Sequence, residues 1–344
     1  MRLMIATGGT GGHIYAARGM VDQLKARCPV DCLFVGGKLK QNAYLDALHV
    51  EEVACSPIDL RKWWRLPKAI WNILRGMRQT EKQIEQFRPD AIVGFGSYYT
   101  LPILLAAIRK KVPLILHEQN RVPGKVNRLF SPYAIFTGVC FPDTPLKGTT
   151  LFVDYPLREG MQTVSKKVAR EHFNLDADAL TILVFGGSQG AKRLNEIVAK
   201  VLSKMPHQVI HLIGKDETFQ NIYTSQACVK PFEKEMHLAW AAADVVICRS
   251  GAGTLAEQLH YTVPGILVPY PYASEQHQLH NARFMEETVG LAKVIEENQL
   301  TEERLQTALD HLFKTRLKRI SEANEYKQKH RPKPFVEQLM EVIK

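Results

Sequence analysis

Paired cysteines are missing from this chain. Its six cysteines, Cys28, Cys32, Cys55, Cys140, Cys228 and Cys248, form no C-x-x-C cluster, which disfavours a structural zinc site and reads as reduced thiols in the core and loops. The twelve histidines contain no H-E-x-x-H, and His117-Glu118 stands alone, so no metal and no other cofactor is expected. No apolar run of about 18 residues is present, which argues against a membrane-spanning helix and leaves only peripheral membrane contact. A basic-then-apolar leader is missing as well: the chain opens directly into Leu3-Met4-Ile5-Ala6 and is expected to stay on the cytoplasmic side. Low-complexity tracts and long Gly/Ser linkers are absent, so the 344 residues, 45% hydrophobic and 23% charged, read as about two ordered domains. The G-x-G-x-x-G fingerprint is absent, and Val35 leads into Gly36-Gly37-Lys38 where an acidic ribose partner would stand, which disfavours a dehydrogenase. Negative charge is the scarcer sign, 35 Asp and Glu against 45 Lys and Arg, and the net +10 points to an anionic partner: nucleic acid, an anionic membrane or a phosphorylated substrate. No aromatic RNP pattern or zinc knuckle supports nucleic acid, and none is expected.

What is present is an alternation of short apolar runs and amphipathic stretches. Leu3 to Ala6, Asp31 to Val35, Ala91 to Gly94, Leu114 to Leu116 and Ala134 to Thr137 form one series of predicted strands. Thr181 to Phe185, Val209 to Ile213, Val245 to Cys248 and Ile266 to Val268 form another. Such alternation predicts an α/β fold with two parallel sheets. The halves echo each other: Gly8-Gly9-Thr10-Gly11-Gly12 follows the first strand of one, and Gly186-Gly187-Ser188-Gln189-Gly190 the first strand of the other. Glycine lets the backbone turn tightly and approach a ligand, and the next helix offers its N-terminus to an anion. The boundary is placed after Arg158, giving domains 1–158 and 159–330, with a last helix in 331–344 that packs back on one of them.

The most informative segment is Cys248-Arg249-Ser250-Gly251-Ala252-Gly253-Thr254-Leu255-Ala256-Glu257. Bare amides at a strand-to-helix turn suit a diphosphate, and a carboxylate on the helix behind them, which accepts and does not donate, suits a ribose diol. The plainer alternative is a capped helix with a surface glutamate. Elsewhere, three of the four tryptophans, Trp63, Trp64 and Trp71, lie among Arg61, Lys62, Arg65, Lys68, Arg75 and Arg78, with Ile70 and Leu74 at helical spacing from Trp71. That mixture suits an anionic membrane surface, with an ordinary amphipathic helix packed on the sheet as the alternative.

Taken together, Gly8 to His13, Gly94-Phe95-Gly96-Ser97-Tyr98, His117-Glu118-Gln119-Asn120, Phe185 to Ala191, Arg249 to Ala252 with Thr254 and Glu257, and His277-Gln278 with Asn281 resemble, in order and over nearly the whole chain, the MurG family of UDP-N-acetylglucosamine:lipid I N-acetylglucosaminyltransferases. The resemblance implies a GT-B fold, two Rossmann-like domains facing across a cleft, with the acceptor and membrane on the N-terminal domain and the UDP-sugar on the C-terminal one. It implies metal-independent, inverting transfer from UDP-N-acetylglucosamine to lipid I, which yields lipid II for peptidoglycan synthesis. The enzyme would be peripheral on the cytoplasmic face of the bacterial membrane, where other cell-wall synthesis enzymes are possible partners. Carried over, Ser188 and Gln189 lie by the diphosphate, Ala252, Gly253 and Thr254 form the phosphate and ribose surface, and Glu257 takes the ribose hydroxyls. Gln278 and Asn281 meet the sugar, Glu233 lies by the uracil, Arg158 is near the nucleotide, and Thr10, Gly11, Gly12 and Asn120 lie at the donor and acceptor face. His13 is the candidate base, with Glu118 as its competitor; a capping or phosphate-binding role for His13 stays open. The chain departs from the family at Tyr15, Ser97, Asp154, Tyr155 and Gln276. An epimerase on the same donor and a glycolipid glycosyltransferase of the same fold are the alternatives, and a non-enzymatic reading, in which the basic Trp-rich stripe binds membrane or nucleic acid, predicts no UDP binding.

Overall fold

Aliphatic runs flanked by amphipathic helices bury both faces of a parallel sheet, and the chain does this twice. The computed structural model describes residues 1–9, 11–40, 45, 48–58, 60–158, 160–161, 164–187, 191–215, 217–219, 223 and 226–343. Two compact units result, Met1–Glu159 with Pro332–Lys344, and Gly160–Arg331.

The first unit holds β1 (Arg2–Gly8), α1 (Gly11–Lys25), β2 (Asp31–Gly37), β3 (His49–Glu52), α2 (Leu66–Phe87), β4 (Ala91–Gly94), α3 (Leu101–Arg109), β5 (Leu114–Glu118), α4 (Lys125–Phe130), β6 (Phe136–Val139) and β7 (Thr150–Phe152). Its parallel sheet runs β3-β2-β1-β4-β5-β6-β7. The second unit holds α5 (Lys166–His172), β8 (Thr181–Phe185), α6 (Lys192–Leu202), β9 (Gln208–Leu212), β10 (Ala227–Lys230), α7 (Met236–Ala242), β11 (Val245–Cys248), α8 (Ala252–Tyr261), β12 (Gly265–Leu267), α9 (His277–Glu287), β13 (Ala292–Val294) and α10 (Glu302–Lys329), with strand order β10-β9-β8-β11-β12-β13. The final helix, α11 (Phe335–Val342), returns to the first unit. In each sheet the winding reverses beside the first strand, between β1 and β4 and between β8 and β11. That switch point splays the connections apart at the carboxyl ends of the strands, where ligands bind in open α/β sheets. The glycine-bearing loops after β1, β4, β8 and β11 all leave from there.

Nine strands match the sequence expectation within two residues or so, and four do not appear in it: β3, β7, β10 and β13. These are the four sheet edges. An edge strand is covered on one side only, so His-Val-Glu-Glu and Ala-Cys-Val-Lys need no continuous apolar run, and the signal that marks an inner strand is missing. Strand β6 begins at Phe136, later than Ala134, because Ser131–Tyr133 form a 3-10 turn that includes Pro132.

Helix α11 is anchored by Phe335, Val336 and Leu339, all fully buried with Leu3, Ile5, Val93 and Ile115 of the sheet. The Phe335 amide donates to Asp154 Oδ1 at 2.7 Å, so the departure residue Asp154 serves as the anchor of this helix. Helix α2 turns Ala69, Ile73, Gly76, Thr80, Ile84 and Phe87 inward. Gly76 permits the approach, since a Cβ there would lie 1.9 Å from the Ala54 carbonyl oxygen. All six cysteines are free thiols. Among the described residues no helix is long and apolar enough to cross a membrane.

Candidate functional site

In the first unit the loop after β1 enters α1 through Gly11 and Gly12, and His13 stands, partly buried, in the first turn. Thr10 lies outside the described residues. Two departure residues brace this turn. Tyr155 donates its hydroxyl to the Gly12 carbonyl at 3.2 Å, and Arg158 places its guanidinium 5.0 Å from the centroid of the Tyr15 ring. Behind the loop lies Tyr99, whose ring would meet a Cβ on Gly37 at 2.2 Å; the glycine at 37 therefore leaves the space that this ring fills. Ser97 keeps φ 75° and ψ 149°, a region that glycine enters freely and a serine enters at a cost of about 1–3 kcal/mol. The strain falls at the carboxyl end of β4, beside the switch point.

Strand β5 carries His117 and Glu118 to the same end of the sheet. Glu118 is buried and accepts from the amides of Asn120 (3.0 Å) and Gly124 (2.9 Å) and from the side-chain amides of Asn127 (2.9 Å) and Asn120 (3.4 Å). Burial pushes its carboxyl above the usual range, against the pull of those donors. Its geometry is that of a loop brace, with both oxygens occupied. His117 is fully buried, and burial lowers its pKa to about 4, so it is neutral. Gln119 Nε2 donates to its Nδ1 at 2.9 Å, which assigns the proton to Nε2, 3.4 Å from the Asp154 carbonyl. Asn120 is the partly exposed member of this motif.

In the second unit the loop after β11 makes Gly251 the N-cap of α8, with φ −65°, ψ 148° and no side-chain cap. Leu255 is the first amide to find a backbone acceptor, the Gly251 carbonyl, so the amides of Ala252, Gly253 and Thr254 have no intrahelical acceptor. Unmatched donors at the positive end of a helix form an anion site. Glu257 follows on the same helix, and its Oε2 accepts from Trp240 Nε1 at 2.8 Å. Ser250 Oγ donates to the Gln278 carbonyl at 2.8 Å, tying the start of α8 to α9. Gln278 Oε1 accepts from the Tyr270 amide at 2.9 Å, which fixes the orientation of its side-chain amide. Glu275 and Gln276 both have left-handed backbones, φ 51° and 52°, directly before α9. Arg249 serves structure: it donates to the carbonyls of Val268 and Pro269 and pairs with Glu297. Asn281 is fully buried on α9, and Gln278, one turn earlier, is the partly exposed amide of this pair. Ser188 and Gln189 lie outside the described residues.

Glu233 is buried beside the exposed Phe232, accepting from the Glu235 amide at 2.9 Å and from Lys230 Nζ at 2.8 Å. The burial penalty on its carboxyl is outweighed by Lys230 and the Glu235 amide, which hold it below the usual range. His172, Glu233 and Glu235 bring possible metal-ligand atoms within 4.8 Å of one another, but Lys230 already supplies the cation at Glu233.

Two residues at these sites carry no motif. Tyr155 stands out in the sequence only as a departure. Trp240 carries a sequence signal of another kind: a tryptophan in a short, mostly apolar helix buries an N–H that must find an acceptor. It is fully buried, edge-on to Phe185 at 5.6 Å and parallel to Tyr261 at 6.3 Å.

Residues 3–137 match the glycosyltransferase family 28 N-terminal domain and residues 181–339 the family 28 C-terminal domain. The chain is 45% identical over 86% of its length to a UDP-N-acetylglucosamine–N-acetylmuramyl-(pentapeptide) pyrophosphoryl-undecaprenol N-acetylglucosamine transferase of Protochlamydia amoebophila, of which 83% is covered. It is 35% identical to the protein of that name from Desulforamulus reducens, covering 100% of this chain and 97% of that one. Among solved structures, Acinetobacter baumannii MurG superposes with a TM-score of 0.78 at 27% identity, over 99% of each chain.

Proposed function

The chain belongs to glycosyltransferase family 28, of GT-B fold, and on that premise we propose that it moves N-acetylglucosamine from UDP-N-acetylglucosamine to the 4-hydroxyl of lipid I, forming lipid II for peptidoglycan. The observation that carries the donor half is the uncapped start of α8 followed by Glu257, its carboxylate fixed by the Trp240 N–H. The diphosphate sits on the amides of Ala252 to Thr254, Glu257 accepts from the ribose diol, Gln278 donates to the sugar, and the backbone at Phe232-Glu233 reads the uracil edge. Ser188 and Gln189 belong beside the diphosphate and Arg158 near the nucleotide. When the bond from C1 to UDP breaks, charge grows on the diphosphate, and fixed amides at a helix end stabilise it without reorganising. In the first unit Gly11, Gly12, Thr10 and Asn120 line the acceptor, and His13 takes the proton of the attacking hydroxyl. Attack from the face opposite UDP inverts C1. Nuclear magnetic resonance of the disaccharide released from the product is expected to show a β-1,4 linkage; an α-linked product would contradict the mechanism.

The acceptor is a lipid, and α2 together with the 3-10 turn before it (Leu60–Arg65) supplies a surface for it. Trp63, Trp64, Ile70, Trp71 and Leu74 are 71%, 61%, 52%, 63% and 44% exposed, so the tryptophan stripe faces solvent while the opposite face of α2 packs on the unit. Exposed Arg65, Lys68, Arg75, Arg78 and Lys82 surround it. At about 1 kcal/mol for each basic residue near an anionic surface, together with interfacial tryptophan, this patch holds the protein peripherally on the cytoplasmic leaflet. The triple replacement Trp63→Ser, Trp64→Ser and Trp71→Ser is expected to lower co-sedimentation with phosphatidylglycerol vesicles at least tenfold while leaving UDP affinity unchanged. Unaltered sedimentation would refute the patch.

A further inference from the structure

At the end of the second sheet opposite its glycine loops, Asp244 stands just before β11 with its carboxylate among three cations. Lys166 Nζ lies 2.5 Å from Oδ1, Arg170 Nη2 2.6 Å from Oδ2 and Arg316 Nη1 3.3 Å from Oδ1, and the Thr181 amide donates to Oδ2 at 2.9 Å. Arg170 is fully engaged, donating also to the carbonyls of Ala177 and Ala242. Arg316 is different: its Nη1 is buried and meets Asp244 as an ion pair without the geometry of a hydrogen bond. One carboxylate also leaves this group of three cations with excess positive charge.

Lys166, Asp244 and Arg316 border a cavity of about 400 Å³. The rest of its wall is largely apolar, with Trp240, Tyr261, Val263, Pro264, Leu317 and Ile320, and Leu317 is 74% exposed at its mouth. That volume lies within the range of about 300–1,000 Å³ of small-molecule sites, which pair apolar walls with a few placed polar groups. We propose that this cavity binds an anionic amphiphile, a phosphate monoester or carboxylate on a short hydrocarbon body, with its head at Arg316 and Lys166 and its chain along Leu317 and Ile320, and that its occupancy is coupled to the nucleotide site through Trp240. The head supplies Arg316 with an aligned acceptor and adds the negative charge that Asp244 alone does not. The coupling follows from a short chain of contacts: Tyr261, partly exposed in the wall, lies parallel to the buried Trp240 ring at 6.3 Å, and that ring donates its N–H to Glu257. A ligand that shifts the ring shifts the carboxylate. This second half rests on the reading of Glu257 as the ribose acceptor; the first half does not.

The whole protein is titrated calorimetrically with n-octyl phosphate, with inorganic phosphate and with octylammonium chloride. Saturable binding of one n-octyl phosphate is expected, with inorganic phosphate at least tenfold weaker and octylammonium not bound. Arg316→Gln should weaken octyl phosphate at least tenfold. So should Ile320→Trp, which fills the apolar half and leaves the Asp244 ion pairs in place, so that a folding defect in the first variant does not decide the matter. Absence of saturable binding, or equal binding by both folded variants, overturns the site. The UDP dissociation constant should then change about fivefold or more in saturating octyl phosphate, with the same factor for octyl phosphate in saturating UDP, because coupling is reciprocal. An unchanged UDP affinity overturns the coupling alone. Failure of UDP to bind at all removes the donor reading and the coupling with it, while octyl phosphate binding would still establish the site.

Discussion

Replacing His13 by alanine is expected to lower the turnover number by about 10²- to 10⁴-fold, the usual contribution of a positioned general base, while the UDP-N-acetylglucosamine KM changes by less than about threefold. The split follows from where the residues lie. His13 occupies the first turn of α1 in the first unit, whereas every donor contact proposed from described residues except that of Arg158 belongs to the second unit. A base acts on the acceptor hydroxyl in the transition state and contributes little to ground-state binding of the donor, so its loss appears in kcat. The competing carboxylate is poorly placed to substitute, because Glu118 is already the acceptor for Asn120, Gly124 and Asn127. Steady-state kinetics at saturating acceptor, with UDP affinity measured separately, provides the check. Turnover within a few-fold of the parent would remove His13 from the chemistry; a raised donor KM at unchanged kcat would make it a binding residue.

Phe335→Ala should destabilise the first unit by about 3–5 kcal/mol, the cost of emptying a large aromatic site in a packed core. Phe335 has no exposed surface and touches Phe95, Phe136 and the imidazole of His117, whose ring centroid is 4.6 Å away. The consequence reaches the site, since His117 and Glu118 are consecutive on β5 and Tyr155, which holds Gly12, lies edge-on to His117 at 6.3 Å. A lowered urea midpoint for the first-unit transition, with UDP affinity of the remaining native protein preserved, is the expected pattern. A loss below about 1 kcal/mol would show that α11 is dispensable to this core.

The comparison of sequence with structure separates what local pattern carries from what only packing decides. Inner strands such as Leu3-Met4-Ile5-Ala6 and Val245-Val246-Ile247-Cys248 are legible because burial on both faces demands an unbroken apolar run. The glycine loops are legible because a tight turn at positive φ, as at Gly9 and Gly187, favours a residue without a side chain. The edges were not, for the reason seen at His49–Glu52, and neither was the partner of Glu257, because a hydrogen bond between residues 240 and 257 leaves no periodic trace. The same holds for the departures. Tyr155 and Tyr15 look like defects against the family pattern, yet one holds the Gly12 carbonyl and the other lies under Arg158. Ser97 has a backbone suited to glycine, which its residue type does not announce. The burial of Asn281 is likewise not legible, because the motif carries no helical phase.

The most direct test is UDP release from UDP-N-acetylglucosamine with and without a lipid I analogue, in excess chelator. Release that depends on the acceptor and survives chelation is the predicted result. Release at the same rate without acceptor, or none with acceptor despite tight UDP binding, would contradict the assignment of this chain as the lipid I N-acetylglucosaminyltransferase.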